Sequence, residues 1–121
     1  MASNIVVAGV GMIPFRKPGD HPPYHAMAAE AAKLALADAG VAYRDVQQAY
    51  VGYVYGDSTC GQKALYELGM TGIPIVNVNN NCSTGSTALW LARQALVAGA
   101  DCVLALGFEQ MRPGALASVY T

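Results

Sequence analysis

The stretch Asn77-Val78-Asn79-Asn80-Asn81-Cys82-Ser83-Thr84-Gly85-Ser86-Thr87-Ala88-Leu89 decides how this chain is organised. The β-branched run Ile73–Val78 predicts a strand that enters a tight polar corner, and the residues behind Cys82 predict a helix. Asparagine tolerates the left-handed and bridge conformations that a sharp turn requires. Hydroxyl side chains at the helix start are expected to bond its unpaired amides, and they stand at Ser83, Thr84 and Ser86.

Cys82 is the residue of this corner that can carry chemistry. A thiol at a helix start lies near the positive end of the helix dipole, which favours the nucleophilic thiolate. The same amides can hold negative charge on a carbonyl oxygen under attack, and Gly85 lets a ligand approach closely. The alternative is that Cys82 is a small buried hydrophobe, as most unpaired cysteines are. Spacing alone leaves the two interpretations about even.

Composition limits the classes of protein to which the chain can belong. Its 121 residues make one domain or part of one, with 54% hydrophobic and only 12% charged residues. Because about a quarter of residues are usually charged, we expect something outside the chain to cover much of its surface. The net charge of −1, without a basic cluster, indicates neither nucleic acid nor an anionic membrane as partner.

The three cysteines, Cys60, Cys82 and Cys102, follow no disulfide-framework or metal-ligand spacing. Reduced thiols in an intracellular compartment fit this pattern best. Met1–Phe15 has no Lys or Arg ahead of its short apolar run, so we expect neither a secretory signal nor a transit peptide. No apolar stretch reaches the ~18 residues of a membrane-spanning helix.

Apolar and amphipathic segments alternate along the chain and predict an α/β fold with a mainly parallel sheet and helices on its faces. The predicted strands are Ile5–Val10, buried on both faces, Ala49–Tyr55, Ile73–Val78 and Cys102–Leu106, the last beside its predecessor in the chain. The predicted helices are Tyr24–Ala39, ended by Gly40, then Gln62–Leu68 and Ser83–Ala98. The last helix is apolar all round, which predicts a further layer over it.

Other reactive side chains have simpler interpretations. Cys60 could be a second active thiol, but a packed or loop-lining residue is the commoner case, and Cys102 shares the apolar character of its strand. Glu109 could be a catalytic base, although a lone carboxylate at a strand exit is more often a structural hydrogen-bond acceptor. His21 and His25 have no ligand partners nearby and read as ordinary surface residues.

The corner sequence resembles the nucleophile motif of the thiolases, in particular the sterol-carrier-protein-x type of 3-oxoacyl-CoA thiolase. Val51–Thr59, Leu68–Pro74 and Val103–Glu109 are similar to the same group, so the resemblance covers nearly the whole chain. It implies a thiolase-like layered fold, with residues 1–121 as the first part of the N-terminal βαβαβαβ half. The rest of that domain and the C-terminal domain are then absent. It further implies that Cys82 is the acyl-accepting nucleophile and that its helix lies in a central layer.

The implied reaction is thiolytic cleavage of a 3-oxoacyl-CoA to acyl-CoA and acetyl-CoA through a Cys82 thioester. Coenzyme A is then a co-substrate, with no permanently bound cofactor and no metal; branched or sterol side-chain acyl groups are the expected substrates. In thiolases two histidines and a second cysteine from downstream sequence complete the site, and His21 and His25 do not match those motifs. We therefore expect the 121-residue chain alone to be inactive.

Two alternatives remain open. One is a non-catalytic thiolase-like subunit or interaction module. The other is a condensing enzyme of the ketoacyl-synthase type, although the residue sequence of Asn79–Gly85 favours the thiolases. The resemblance also implies a homodimer formed through the strand Ile73–Val78, because thiolases pair through the strand ahead of the nucleophile. The expected location is cytoplasmic in a bacterium and peroxisomal in a eukaryote.

Overall fold

A computed structural model describes residues 4–115 and residue 117 of the chain. The described part contains a three-stranded parallel sheet in the order β2-β1-β3, made of β1 (Gln48–Gly52), β2 (Ile75–Val78) and β3 (Val103–Gly107). Three α-helices accompany it: α1 (Tyr24–Ala39), α2 (Cys60–Leu65) and α3 (Thr84–Val97). The predicted α/β class with a parallel sheet is confirmed.

The main core lies between the sheet and the first two helices. Alternate strand residues point to one face of a sheet, and here the residues on that face are Ala49, Val51, Leu104 and Leu106. They meet small side chains of α1 and the buried Leu65 of α2. Helix α3 packs on the sheet with Ala88, Ala92 and Ala95. Small alanines on all three helices let them lie close to the strands.

Helix α1 has the predicted bounds, Tyr24–Ala39. It ends at Gly40, whose backbone is left-handed with φ 69° and whose N–H donates to the carbonyl of Ala37 at 3.2 Å. Because residues with a Cβ avoid that conformation, glycine is the expected helix stop. Its buried face carries Met27, Ala28, Ala29 and Ala32.

The prediction that Ile5–Val10 is a strand buried on both faces is wrong. These residues belong to no strand of the described sheet, and Val6 and Val7 are 72% and 70% exposed. The segment instead runs along α1, where a Cβ at Gly9 would lie 2.4 Å from the Ala39 nitrogen. Its backbone is held by the Val10 N–H, which donates to the Asp38 carboxylate at 2.8 Å. Gly9 and Gly11, which the sequence suggested as the end of a strand, therefore allow this segment to pack closely on α1.

The remaining elements exist where predicted but with shorter or shifted bounds, and the predicted strand Cys102–Leu106 is shifted by one residue to Val103–Gly107. The predicted strand Ala49–Tyr55 ends at Gly52, and the predicted Ile73–Val78 begins at Ile75. The flanking Pro74 carbonyl and Tyr53 N–H each still make one hydrogen bond to the neighbouring strand. Helix α2 is Cys60–Leu65 where Gln62–Leu68 was predicted. The last strand pairs with β1 and not with its predecessor β2, so that prediction of strand order is wrong.

Helix α3 is not buried all round within the described part of the chain. Its inner face is covered by the sheet, but Leu89 and Trp90 are 56% and 58% exposed and Val97 is also open to solvent. The apolar outer face therefore has no covering layer among residues 4–115 and 117. In that same part of the chain, no helix has the length and apolarity needed to cross a membrane.

Three aromatic rings form a stack that joins α1 to the ends of two strands. The ring of Phe108 lies between Tyr24 and Tyr53, with centroid distances of 4.9 Å on both sides. Burial and then the neighbouring Cys60 thiol raise the pKa of Tyr24 to about 12, and burial also raises the pKa of Tyr53. The stack thus holds neutral phenols beside the core.

We expect Leu65→Ala to lower the free energy of unfolding by about 2–5 kcal/mol, because Leu65 is fully buried and its loss leaves a cavity. Leu89→Ala is the matched control, since the same atoms are removed from an exposed site. It should change the free energy of unfolding by about 0.5 kcal/mol or less. Urea denaturation followed by circular dichroism measures both. Equal losses would contradict this location of the core.

The raised pKa of Tyr24 predicts a loss of stability at high pH. Below pH 10 the phenol is neutral in both states; between pH 10 and about 12 the unfolded chain releases this proton while the folded chain keeps it, so stability falls. We expect Tyr24→Phe to lose less stability than the wild type as the pH rises from 10 toward 12. Urea midpoints across this pH range give the comparison, and parallel curves for the wild type and Tyr24→Phe would refute the prediction.

Candidate functional site

The carboxyl ends of the three parallel strands meet at one edge of the sheet, and the candidate site is built there. Beyond the strands, the Tyr53 N–H donates to the Val78 carbonyl and the Phe108 N–H donates to the Gly52 carbonyl, each at 3.1 Å. These bonds tie the three exit loops together. The corner that carries Cys82 follows β2 and therefore lies at the same edge.

Cys82 is exposed and stands two residues before the first residue of α3. The chain turns at Asn81, whose φ of 51° is left-handed, as expected for an asparagine in a tight corner. The Asn79 side chain supports this turn by accepting the Asn81 N–H at 3.1 Å. The structure thus presents the predicted nucleophile on the surface, which disagrees with the alternative of a buried small hydrophobe.

The prediction that Ser83, Thr84 and Ser86 cap the helix amides is wrong. The Thr84 hydroxyl donates to the Asn81 carbonyl at 2.5 Å and accepts the Asn80 N–H at 2.9 Å. The Ser83 hydroxyl likewise donates to the Asn80 carbonyl at 2.8 Å, and α3 has no side-chain cap. Hydroxyls at this corner bond backwards to the turn, because the turn's own carbonyls lie closer than the helix amides.

The absence of a cap leaves donors free in the first turn of the helix that begins two residues after Cys82. Among the described residues, the amides of Gly85 and Ser86 have no hydrogen-bond acceptor, whereas the Thr87 amide donates to the Ser83 carbonyl at 2.9 Å. A helix start carries partial positive charge at such amides. Free donors beside a thiol can stabilise an oxyanion, so the lack of a cap suits the predicted chemistry better than the predicted cap did.

Two glycines seat the start of α3 on the sheet. A Cβ at Gly52 would lie 2.5 Å from the Thr84 methyl carbon, and a Cβ at Gly107 would lie 4.0 Å from the Gly85 Cα. Thr84 is accordingly buried while its neighbours on both sides are exposed. The close contact of Thr84 with the sheet therefore depends on Gly52, whereas a Cβ at Gly107 would make only ordinary van der Waals contacts.

Asn77 fixes β2 against α2. Its side-chain oxygen accepts the Gly61 N–H at 2.8 Å, and its side-chain nitrogen donates to the Gln62 side chain at 2.7 Å. Gln62 in turn donates to the Ile75 carbonyl at 3.1 Å. The first residue of the corner stretch is thus a structural anchor, and this role was not recognised in the sequence.

Glu109 is a hydrogen-bond acceptor, as its sequence position suggested. One carboxylate oxygen accepts the Val54 N–H and the other accepts the Tyr55 N–H, both at 2.9 Å. The second oxygen is also 3.3 Å from the Gln110 N–H. A carboxylate occupied in this way by amides is not placed as a general base.

A hollow of about 430 Å³ lies between the exit of β1 and the exit of β2. Its walls are Tyr53, Val54, Gly56, Asp57, Ser58 and Thr59 on one side and Asn77, Val78 and Asn79 on the other. Asn79 belongs to the hollow and to the turn before Cys82 at once. Cys82 is not among the residues that line the hollow, and Asn79 connects the hollow to the turn that carries it.

The other sulfur atoms and the histidines are not part of this corner. Cys60 is buried, as expected for a packed residue, and its thiol donates to the Asp57 carbonyl at 3.0 Å. Cys102 is half-buried, and burial, followed by the charge of Asp45, raises its pKa. His25 bonds Glu67 at 2.5 Å, and His21 lies 2.8 Å from the Pro22 carbonyl. No cluster of potential metal ligands occurs in the described residues.

We expect Gly52→Ala to reduce the free energy of unfolding by about 1–3 kcal/mol, because the added methyl forces the start of α3 off the sheet. Gly85→Ala is the matched control: no atom lies within 4 Å of its Cβ position, so stability should change by about 1 kcal/mol or less. Urea denaturation measures both variants. A Gly52→Ala protein as stable as the Gly85→Ala protein would contradict this role of Gly52.

Comparison with known proteins agrees with this geometry. Residues 5–117 match the family described as thiolase, N-terminal domain. The chain is 60% identical to Sterol carrier protein 2 of Gallus gallus over 124 aligned positions, which cover 100% of this chain and 23% of that protein. It is 37% identical to a subunit of benzoylsuccinyl-CoA thiolase from Thauera aromatica, covering 88% of this chain and 28% of that subunit.

The fold is also found in condensing enzymes. The crystal structure of 3-oxoacyl-[acyl-carrier-protein] synthase III from Aquifex aeolicus superposes with a TM-score of 0.68 at 23% identity, over 78% of this chain and 32% of that one. The chain spans less than a third of the length of each of these relatives. The match of residues 5–117 covers nearly all of the sequence, and the chain belongs to the thiolase family through its N-terminal domain.

Proposed function

We propose that Cys82 is the acyl-accepting nucleophile of a thiolase that cleaves 3-oxoacyl-CoA to acyl-CoA and acetyl-CoA. The observation that carries this proposal is an exposed thiol at the start of α3, whose Gly85 and Ser86 amides are free, in a chain of the thiolase family. The Cys82 thiolate attacks the 3-keto carbon, and the two amides stabilise the charge that moves onto the keto oxygen. Collapse of this adduct breaks the carbon–carbon bond.

Two products leave in sequence. The acetyl-CoA fragment departs as a carbanion that takes up a proton, and the remaining acyl group stays on sulfur as a thioester. The thiol of free coenzyme A then attacks that thioester, releases acyl-CoA and returns the Cys82 thiol. Division of one difficult cleavage into two easier transfers is the advantage of covalent catalysis.

The residues that move protons are proposed to come from outside the described part of this chain. A base must activate Cys82 and an acid must protonate the departing carbanion. Both histidines bond elsewhere, and the Glu109 carboxylate is occupied by backbone amides. In thiolases two histidines and a second cysteine have these roles, so we propose that this chain alone does not sustain turnover.

The proposed assembly is a homodimer through β2. This strand pairs with β1 on one side only, and Val76 on it is 42% exposed. A free apolar edge is available for pairing with a second copy. The uncovered face of α3, with Leu89 and Trp90, suits the further layer expected of the thiolase fold. Branched or sterol side-chain acyl groups are the proposed substrates, a choice that the name of the Gallus gallus relative supports.

An interaction module is the second candidate function. It is favoured by the exposed apolar residues of α3 and of the segment after Asn4, which include Val6, Val7 and Phe15. Such a module needs no reactive thiol. The condensing-enzyme alternative has only a shared fold in its favour, because the similar condensing-enzyme structures are under 25% identical to this chain.

Acyl transfer onto Cys82 tests the proposal. We expect incubation with octanoyl-CoA to transfer one acyl group to Cys82 with release of coenzyme A, detected by intact mass and peptide mapping. This transfer breaks no carbon–carbon bond, so it needs no acid for a departing carbanion. The buried Cys60 should remain unmodified, and Cys82→Ala should remove the adduct.

An ordinary exposed thiol provides the matched control. Ala37→Cys in the Cys82→Ala background places a thiol on the exposed side of α1. We expect acylation of Cys82 to be at least about tenfold faster than that of the introduced thiol, because only Cys82 stands at a helix start with free amides. Equal acylation rates for the two thiols would indicate that Cys82 is only accessible and not activated, and would favour the interaction module.

A further inference from the structure

The side chains of Glu109 and Gln110 close on the backbone that leaves the neighbouring strand β1. The Glu109 carboxylate accepts the N–H groups of Val54 and Tyr55, one on each oxygen, at 2.9 Å. The Gln110 amide nitrogen donates to the Tyr55 carbonyl at 2.8 Å. Two successive residues after β3 thus satisfy three backbone groups of two successive residues after β1. We call this set of contacts the exit clamp.

The exit clamp requires a carboxylate. Two neighbouring N–H groups that point the same way need two acceptor oxygens, and a carboxylate has two of them in one plane. Bonds to an ionised acceptor are also stronger than bonds to a neutral one. Glutamine would place an NH₂ group against one of the N–H donors. No cation lies within ion-pair distance of Glu109 among the described residues, so the backbone amides are its partners.

The clamped segment forms a wall of the hollow that Asn79 shares with the Cys82 turn. Val54 lies in that wall, and Tyr55 joins it to Gly56, Asp57, Ser58 and Thr59. The opposite wall is Asn77–Asn79, which is held by the Asn77 bonds to α2 and continues directly into the Cys82 turn. One wall is therefore tied to the nucleophile and the other is tied to Glu109. The clamp sets the width of the space between them.

We propose that Glu109 is a positioning residue for the acyl donor: it holds Val54–Thr59 so that the hollow accepts the acyl chain while Cys82 attacks its carbonyl. This inference rests on the proposed function, because it assigns the hollow to the same acyl donor. Glu109 does not touch the reacting atoms. It acts through the backbone of Val54 and Tyr55, so its loss affects capture of the donor more than the reactivity of the sulfur.

The dependence of Cys82 acylation on acyl-CoA concentration tests this role. We expect Glu109→Gln to raise the half-saturating concentration at least about fivefold while the maximal acylation rate stays within about twofold. Alkylation of Cys82 by iodoacetamide, a reagent too small to need the hollow, should also stay within about twofold. Glu30→Gln removes the same charge from the exposed face of α1 and should match the wild type in all three measurements.

A second variant and a second measurement guard against a loss of fold. Gln110→Ala removes only the bond to the Tyr55 carbonyl, so it should shift the half-saturating concentration in the same direction but less. Hydrogen–deuterium exchange should show faster exchange at Val54 and Tyr55 in Glu109→Gln, with β1 and β3 still protected.

The outcomes separate the two proposals. A wild-type protein that captures no acyl group overturns the proposed function and this role of Glu109 together. A wild type that is acylated, with Glu109→Gln saturating at the same concentration, overturns the role of Glu109 alone. A parallel loss of acylation and iodoacetamide reactivity in Glu109→Gln also overturns it, since the sulfur itself would then depend on Glu109.

Discussion

The contact between the start of α3 and the strand ends is the constraint on which the site depends. Thr84 approaches Gly52 so closely that no Cβ fits there, and Gly85 approaches Gly107. These contacts bury Thr84 and set the position of the turn just before it. The buried Thr84 anchors the chain two residues after Cys82, and Cys82 itself is exposed at the sheet edge.

Three further kinds of contact hold the loops that leave the strands at this edge of the sheet. The Tyr24–Phe108–Tyr53 stack joins α1 to the exits of β1 and β3 through dispersion and burial. The exit clamp joins the same two exits through charge-assisted hydrogen bonds. Asn77 ties the third exit to α2. Each loop at this edge is therefore fixed by at least one contact distant in sequence, which gives a surface site the rigidity that covalent chemistry needs.

Several large apolar side chains of this molecule lie on its surface and not in its core. Val6, Val7, Phe15, Leu89 and Trp90 are open, and only 12% of residues are charged. Isolated exposed hydrophobic residues are common, but sets of them along one segment and one helix face mark contact surfaces. The low content of charged residues and the exposed apolar faces are both consistent with the proposed covering layer and dimer.

Local sequence by itself determined the helices and the corner that carries the candidate nucleophile. The alanines that recur at three- and four-residue steps, together with Gly40, predicted both ends of the helix Tyr24–Ala39. Helical periodicity and a left-handed stop are local properties of the sequence. The asparagine run and Cys82 likewise identified the corner. Only the tertiary structure decided that β1 lies between its partners, that Ile5–Val10 packs on a helix, and that Glu109 serves the Val54 and Tyr55 amides. It also reversed the role of the Ser83 and Thr84 hydroxyls, which bond the turn and leave the helix amides free. The physical reason is that periodicity and turn chemistry act within a few residues, whereas strand order and the partner of a lone carboxylate join groups more than fifty residues apart.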